Sequence, residues 1–153
     1  RAADLAAYKP VVGMGPEPLG SDLTTDYLAG ALKGRAAPIK ALLLDQRIVA
    51  GLGNIYVCEA LHIARIAPGT AGGRISKPRL ARLVESVRAV LLSAIEAGGS
   101  SLRDFAGPDG ELGYFSKQFL VYGREGGACA CGAPIRRRVD GGRSTFYCGK
   151  CQR

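Results

Sequence analysis

The stretch DQRIVAGLGNIYVCEAL, residues 45–61, decides the fold. The helix before it, opened by Pro38 in its first turn and carrying Ile39, Leu42 and Leu43, cannot pass far beyond Asp45, because Gly51-Leu52-Gly53 breaks the pattern. A new helix starts at Asn54 and sets Ile55, Cys58 and Leu61 on one face, until Pro68, Gly69, Gly72 and Gly73 stop it. Two helices joined by a glycine turn admit two readings. One is a tight helix–helix turn with Asn54 as an ordinary cap. The other is an anion cradle: the glycines let another backbone approach, and the helix start offers free N–H groups and a positive dipole end. Arg35 and Lys40 just upstream favour the cradle, with Asn54 adding an amide donor.

Upstream, residues 1–20 carry Pro10, Gly13, Gly15, Pro16, Pro18 and Gly20, a spacing that forbids long elements and reads as a linker or hinge with one short helical turn. The chain starts at Arg1 without a methionine, which suggests a fragment of something longer. Ser21 or Asp22 can cap a helix to about Leu32, with Leu23, Tyr27, Leu28 and Ala31 on one side. Downstream, residues 77–97 set Leu80, Leu83, Val84, Val87, Leu91, Ala94 and Ile95 at a 3.6-residue period, with Arg79, Arg82, Arg88 and Glu96 on the wet face. Ser76 is placed to cap this helix and Gly98-Gly99 to end it. It is core architecture. Residues 100–113 read as a helical turn and a loop of turn-forming residues, and 118–122 as a strand.

Cys129, Cys131, Cys148 and Cys151 form two close pairs separated by sixteen residues. Four thiolates suit a tetrahedral zinc ion. Between the pairs, β-patterned runs at 135–139 and 144–147 flank Asp140-Gly141-Gly142, a hairpin signal. The result is a zinc ribbon whose first pair, Cys-x-Cys, is one residue short of the usual knuckle. Disulfides or a metal-free ribbon are the alternatives; no secretion signal supports the former. Four protein ligands leave no open position for water, so such a zinc is structural. Arg143 then stands at the hairpin tip. Cys58 reads as merely buried, and no role is evident for His62.

The formal net charge is +8, and from Arg124 onward seven basic residues face two acids, so five of the eight charges lie in this last segment. That imbalance points to a polyanion. No apolar run nears the roughly 20 residues of a membrane helix, and the start lacks a signal-peptide layout. The expectation is a monomeric cytoplasmic protein.

Residues 45–61 with LHIARIAP (61–68) resemble the helix–two-turns–helix signature of bacterial formamidopyrimidine-DNA glycosylases. VYGREG (121–126), CGAPIRRRV (131–139), GGRSTFYC (141–148) and KCQR (150–153) resemble their zinc finger. The endonuclease VIII branch, which acts on oxidised pyrimidines, shares the architecture, but the wording favours the formamidopyrimidine branch. The resemblance implies a mainly α fold: a helical DNA-binding module over 21–117 and a β-hairpin zinc ribbon over 118–153. It implies excision of oxidised purines such as 8-oxoguanine from duplex DNA, then strand cleavage at the abasic site.

The family's nucleophile is an N-terminal proline amine, assisted by a glutamate and a lysine on an N-terminal β-sandwich. None of these is in this chain, and Pro10 is internal. The chain alone is expected to bind DNA without forming a Schiff base. By motif position Asn54, Lys40 and Arg35 contact the phosphate backbone. Arg143 matches the finger arginine that contacts phosphate and acts in the final elimination, where holding the leaving phosphate suits a guanidinium better than proton donation. The loop containing Gly107, Asp109, Gly110 and Gly113 matches the lesion-recognition loop that closes over the flipped base. Two other readings use fewer features: a stand-alone zinc-ribbon nucleic-acid module, and a purely structural domain with a solvated basic face.

Overall fold

Thr24, rather than Ser21 or Asp22, opens the first helix: its Oγ1 accepts the Tyr27 N–H at 3.0 Å while its own backbone stays extended. From there the computed structural model, which describes residues 13–96 and 119–153, runs through four α-helices and one hairpin. They are α1 (Thr25–Leu32), α2 (Ile39–Leu44), α3 (Asn54–Ala64), a 3-10 turn at Gly72–Arg74, α4 (Lys77–Glu96), β1 (Ile135–Asp140) and β2 (Arg143–Cys148). The mainly helical architecture with a terminal hairpin matches the expectation. The lesion-loop residues Gly107, Asp109, Gly110 and Gly113, the Gly98-Gly99 helix end and residues 1–12 lie outside the described residues.

The segment between α2 and α3 is two consecutive turns. The Asp45 carbonyl accepts N–H groups from Ile48 and Val49 at 2.9 and 3.1 Å, and the Gln46 side chain accepts the Gly51 N–H. Gly51 sits at φ 74°, where a side chain would be strained. Tyr27 Oη donates to the Ile48 carbonyl at 2.6 Å, tying α1 to these turns. The described part of the segment read as a linker is docked here as well. Gly15 N–H donates to Gln46 O at 2.8 Å and Ala50 N–H to Pro16 O at 2.9 Å. A Cβ on Gly15 would lie 2.2 Å from the Ile48 oxygen, so only glycine fits.

Helix α3 ends earlier than the Pro68-Gly69 signal suggests. Arg65 takes a left-handed conformation, φ 63° and ψ 37°, and Ile66 N–H reaches back to Leu61 O at 3.0 Å. The strain of a non-glycine residue there, about 1–2 kcal/mol, is offset by contacts with the chain's last residues. Arg153 N–H donates to Arg65 O, and Gln152 Nε2 to Ile66 O at 3.0 Å.

In α4 the periodic residues Leu80, Leu83, Val84, Val87, Leu91 and Ala94 are buried as expected, but Ile95 is 47% exposed. Arg88 also departs from the wet face: Nη2 donates to the carbonyls of Gly20 and Leu23 at 3.1 and 2.6 Å, fastening the start of the module. One apolar core joins α1, α2, α3 and α4 through Leu28, Leu32, Leu43, Leu61 and Leu83. A second, smaller one joins α3 to the ribbon through Cys58, Val121, Ile135 and Phe146. Cys58 is buried there, as its position in the helix suggested.

No strand forms at 119–122, contrary to the strand expected over 118–122. The backbone N–H groups of Leu120, Val121 and Tyr122 instead converge on the buried carboxylate of Glu59 at 2.7, 2.8 and 2.9 Å. Three successive donors turned toward one carboxylate cannot also serve a ladder. Helix α3 therefore holds the ribbon from both sides, through its apolar face and through Glu59.

Candidate nucleic-acid interface and metal centre

The four finger cysteines converge. Their sulfurs lie within 4.8 Å of one another, and no cysteine is in a disulfide. Cys131 Sγ is 3.5 Å from Cys148 Sγ, and Cys129 Sγ is 3.7 Å from Cys151 Sγ. A disulfide requires about 2.05 Å, whereas sulfurs around a tetrahedral ion with bonds of about 2.3 Å lie about 3.8 Å apart. The observed spacing therefore fits one structural zinc and excludes the disulfide alternative. Backbone donors support the cluster: the Ala133 N–H and the neighbouring thiols pull the Cys131 thiol down to about 6, and Cys151 N–H approaches Cys148 Sγ at 3.4 Å. The short first pair does reach the cluster, with Gly132 N–H closing its turn onto Cys129 O at 2.8 Å.

The hairpin places Arg143 where the sequence put it. β1 and β2 pair antiparallel from Ile135↔Cys148 to Asp140↔Arg143, and Gly141 and Gly142 alone make the turn, at φ 59° and 82°. Two positive angles in a two-residue loop give the twist that an antiparallel pair prefers. Arg143 is the first residue after the turn and is exposed.

Asn54 and Lys40 meet the hairpin beside it. Asn54, the first residue of α3, donates through Nδ2 to Ser144 O at 3.0 Å. Lys40 Nζ donates to the same carbonyl at 3.4 Å and to Thr145 Oγ1 at 2.6 Å. Thr145 Oγ1 donates on to Asp140 Oδ2 at 2.7 Å, which also receives Arg138 Nε at 2.9 Å. Lys40 is thus buried within the fold, which lowers its pKa by desolvation, and the Asp140 carboxyl is held below the ordinary carboxylate range by Thr145 and then Arg138. A groove of about 430 Å³ opens on this network, lined by Lys40, Arg138, Asp140, Gly141, Arg143 and Pro68. Three cations and one partly neutralised carboxylate give it a positive balance.

At the start of α3, Val57 N–H makes the first intrahelical bond, to Gly53 O at 3.0 Å, so the N–H groups of Asn54, Ile55 and Tyr56 have no acceptor within the helix. A Cβ on Gly53 would meet nothing within 4 Å. The helix end is open to an approaching anion. Asn54 Oδ1 is buried without a partner, so the amide is anchored through its donor side alone. Arg35 stays apart, exposed on the turn after α1, with its backbone carbonyl accepting Gly73 N–H at 2.9 Å.

Sequence reasoning assembled Lys40, Asn54 and Arg143 but missed what joins them. Ser144, Thr145, Asp140 and Arg138 form the connection, and nothing in a linear sequence marks a shared carbonyl. His62, left without a role, places Nε2 3.4 Å from Cys129 Sγ.

Two families of known proteins match. The formamidopyrimidine-DNA glycosylase H2TH domain matches residues 14–106, and the zinc finger found in FPG and IleRS matches 130–153. A formamidopyrimidine-DNA glycosylase of Rhizorhabdus wittichii is 71% identical over all 153 residues, which span 57% of that relative. Another, of Sphingopyxis alaskensis, is 60% identical over 97% of this chain and 55% of its own length. Among solved structures, the MutM (Fpg) protein of Thermus thermophilus superposes with a TM-score of 0.82 at 44% identity, covering 97% of this chain and 57% of that one. Lactococcus lactis Fpg in complex with abasic-site DNA superposes at 0.84 with 34% identity, over 99% of this chain and 56% of that one. The chain thus spans just over half the length of the proteins it matches.

Proposed function

The chain belongs to the formamidopyrimidine-DNA glycosylase family, and from that premise we propose that it is the DNA-gripping part of a glycosylase and abasic-site lyase acting on oxidised purines. The observation that carries this reading is the convergence of Asn54 Nδ2 and Lys40 Nζ on the Ser144 carbonyl beside Arg143. One phosphate of a duplex meets the open N–H groups of α3, the second Asn54 N–H and the Arg143 guanidinium together. Arg143 holds the phosphate that leaves in strand cleavage by charge and by paired N–H donors. Lys40, buried behind the hairpin, sets the position of Arg143 and adds its charge to the groove. Arg35 contacts the same backbone further along.

The zinc ion, held by Cys129, Cys131, Cys148 and Cys151, supplies rigidity to a segment too small for a core of its own. The residues that open the glycosidic bond belong to a partner domain with an N-terminal proline amine, and reading of the everted base is assigned to Gly107, Asp109, Gly110 and Gly113. This chain alone is inactive in that chemistry.

The test is binding of the zinc-loaded chain to a duplex carrying a stable abasic-site analogue, with borohydride trapping on a natural abasic site alongside. Salt-sensitive binding without a trapped adduct supports the reading. A trapped adduct would place the nucleophile in this chain and overturn it.

A further inference from the structure

Of the four zinc-site sulfurs, Cys129 belongs to the pair shortened by one residue. Its own turn gives it the Cys131 N–H, but the next donor along, Gly132 N–H, is taken by the Cys129 carbonyl at 2.8 Å. The remaining donor comes from outside the finger. His62, near the C-terminal end of α3, brings Nε2 to 3.4 Å from Cys129 Sγ, within reach of a bond to sulfur. Its nitrogens are not part of the four-sulfur cluster, so His62 is no ligand.

We propose that His62 is a positioning residue of the zinc site, donating its Nε2 proton to the Cys129 thiolate and replacing support that the shortened knuckle lacks. A metal-bound thiolate offers only lone pairs, so the facing nitrogen must carry the proton. Nδ1 is buried without a partner, which agrees with a bare nitrogen there. Four thiolates leave a zinc centre with a net charge of −2, and N–H donors to sulfur disperse it without competing for the metal. The same helix carries Asn54 at its start and Glu59 between, so the bond also joins the metal to the element that forms the phosphate site.

The experiment compares the wild-type chain with His62→Phe, which keeps a ring but has no N–H, and His62→Gln, which keeps an N–H donor. Each is loaded with one zinc ion, and loss of metal to a chromogenic chelator is followed. Cobalt-loaded samples report the sulfur-to-metal charge-transfer band. We expect zinc binding in His62→Phe to weaken on the order of 10–100-fold with a shifted band, and His62→Gln to recover most of both. Equal zinc retention and an unshifted band in His62→Phe would overturn the proposal, as would equal weakening in both variants, which would make the ring's packing the cause. Helical circular dichroism of the zinc-loaded samples, compared with the wild type, reports whether α1 to α4 are intact in each variant.

Discussion

The side-chain amide of Asn54 donates to the carbonyl of Ser144 at 3.0 Å, so the first residue of α3 is locked to the residue that follows Arg143. Substituting Asn54 by alanine removes that lock and one phosphate donor. We expect DNA affinity to fall about tenfold with little change in its salt dependence, because Asn54 carries no charge. Binding isotherms at several salt concentrations check this.

Lys40 differs, since its ammonium is buried and shared between Ser144 and Thr145. Lys40→Met keeps the methylene packing and removes the charge. Affinity should fall, and the dependence of log affinity on log salt should lose part of one unit. Burial disfavours the ammonium, which offsets part of the roughly 1.5–3 kcal/mol that a hydrogen bond from a charged group contributes, and urea unfolding reads the net change.

Glu59 presents the sharpest stability test. Its carboxylate is the acceptor for three backbone N–H groups at the entrance of the ribbon. Glu59→Ala strands the Val121 donor in a buried setting, at about 1–3 kcal/mol, leaves the part-buried Leu120 and Tyr122 donors to water, and should detach residues 119–122 from α3. Glu59→Gln keeps one acceptor oxygen and should lie between. Urea unfolding and hydrogen exchange at Val121 read the difference.

Asp140 predicts an acid limb. Its folded carboxyl is depressed, by the Thr145 hydroxyl first and Arg138 second. Its contribution is therefore complete above the ordinary carboxylate value of about 3.9 and is lost as the pH falls through the lower folded value. Asp140→Asn should be less stable than the wild type above about pH 5, with the gap closing as the pH falls below about 4. A constant gap over that range would contradict the network.

Zinc removal should act unequally on the two cores. The ribbon cluster holds two of the four ligands, Cys129 and Cys148, within its own apolar set, whereas the helical cluster holds none. A chelator should unfold β1 and β2 and abolish DNA binding while most of the helical signal stays. Loss of both together would show a single cooperative unit.

Helix α4 was legible because its 3.6-residue period runs through 20 residues; the hairpin was legible because Asp140-Gly141-Gly142 permits almost no other turn. The convergence of the four cysteines followed from their spacing, and the place of Arg143 beside the turn from the hairpin signal. What escaped depends on contacts between distant segments. The segment 118–122 has the apolar and aromatic run of a strand, but Glu59, some sixty residues earlier, takes the N–H groups of Leu120, Val121 and Tyr122. Arg65 ends α3 in a conformation that no local signal marks, because its stabilising partners are at the other end of the sequence. His62 carries no linear signal at all: its partner, Cys129, is 67 residues away.

The central claim is that Asn54, Lys40 and Arg143 serve one phosphate site. Its most direct test is the salt dependence of binding to an abasic-analogue duplex for the wild type, Arg143→Ala and the Asn54→Ala/Arg143→Ala pair. A shared site predicts that Arg143→Ala lowers the slope by about one and that the two losses of affinity are not additive, since each removes what the other positions through Ser144. Strictly additive losses with an unchanged slope would mean that these residues do not meet the same phosphate.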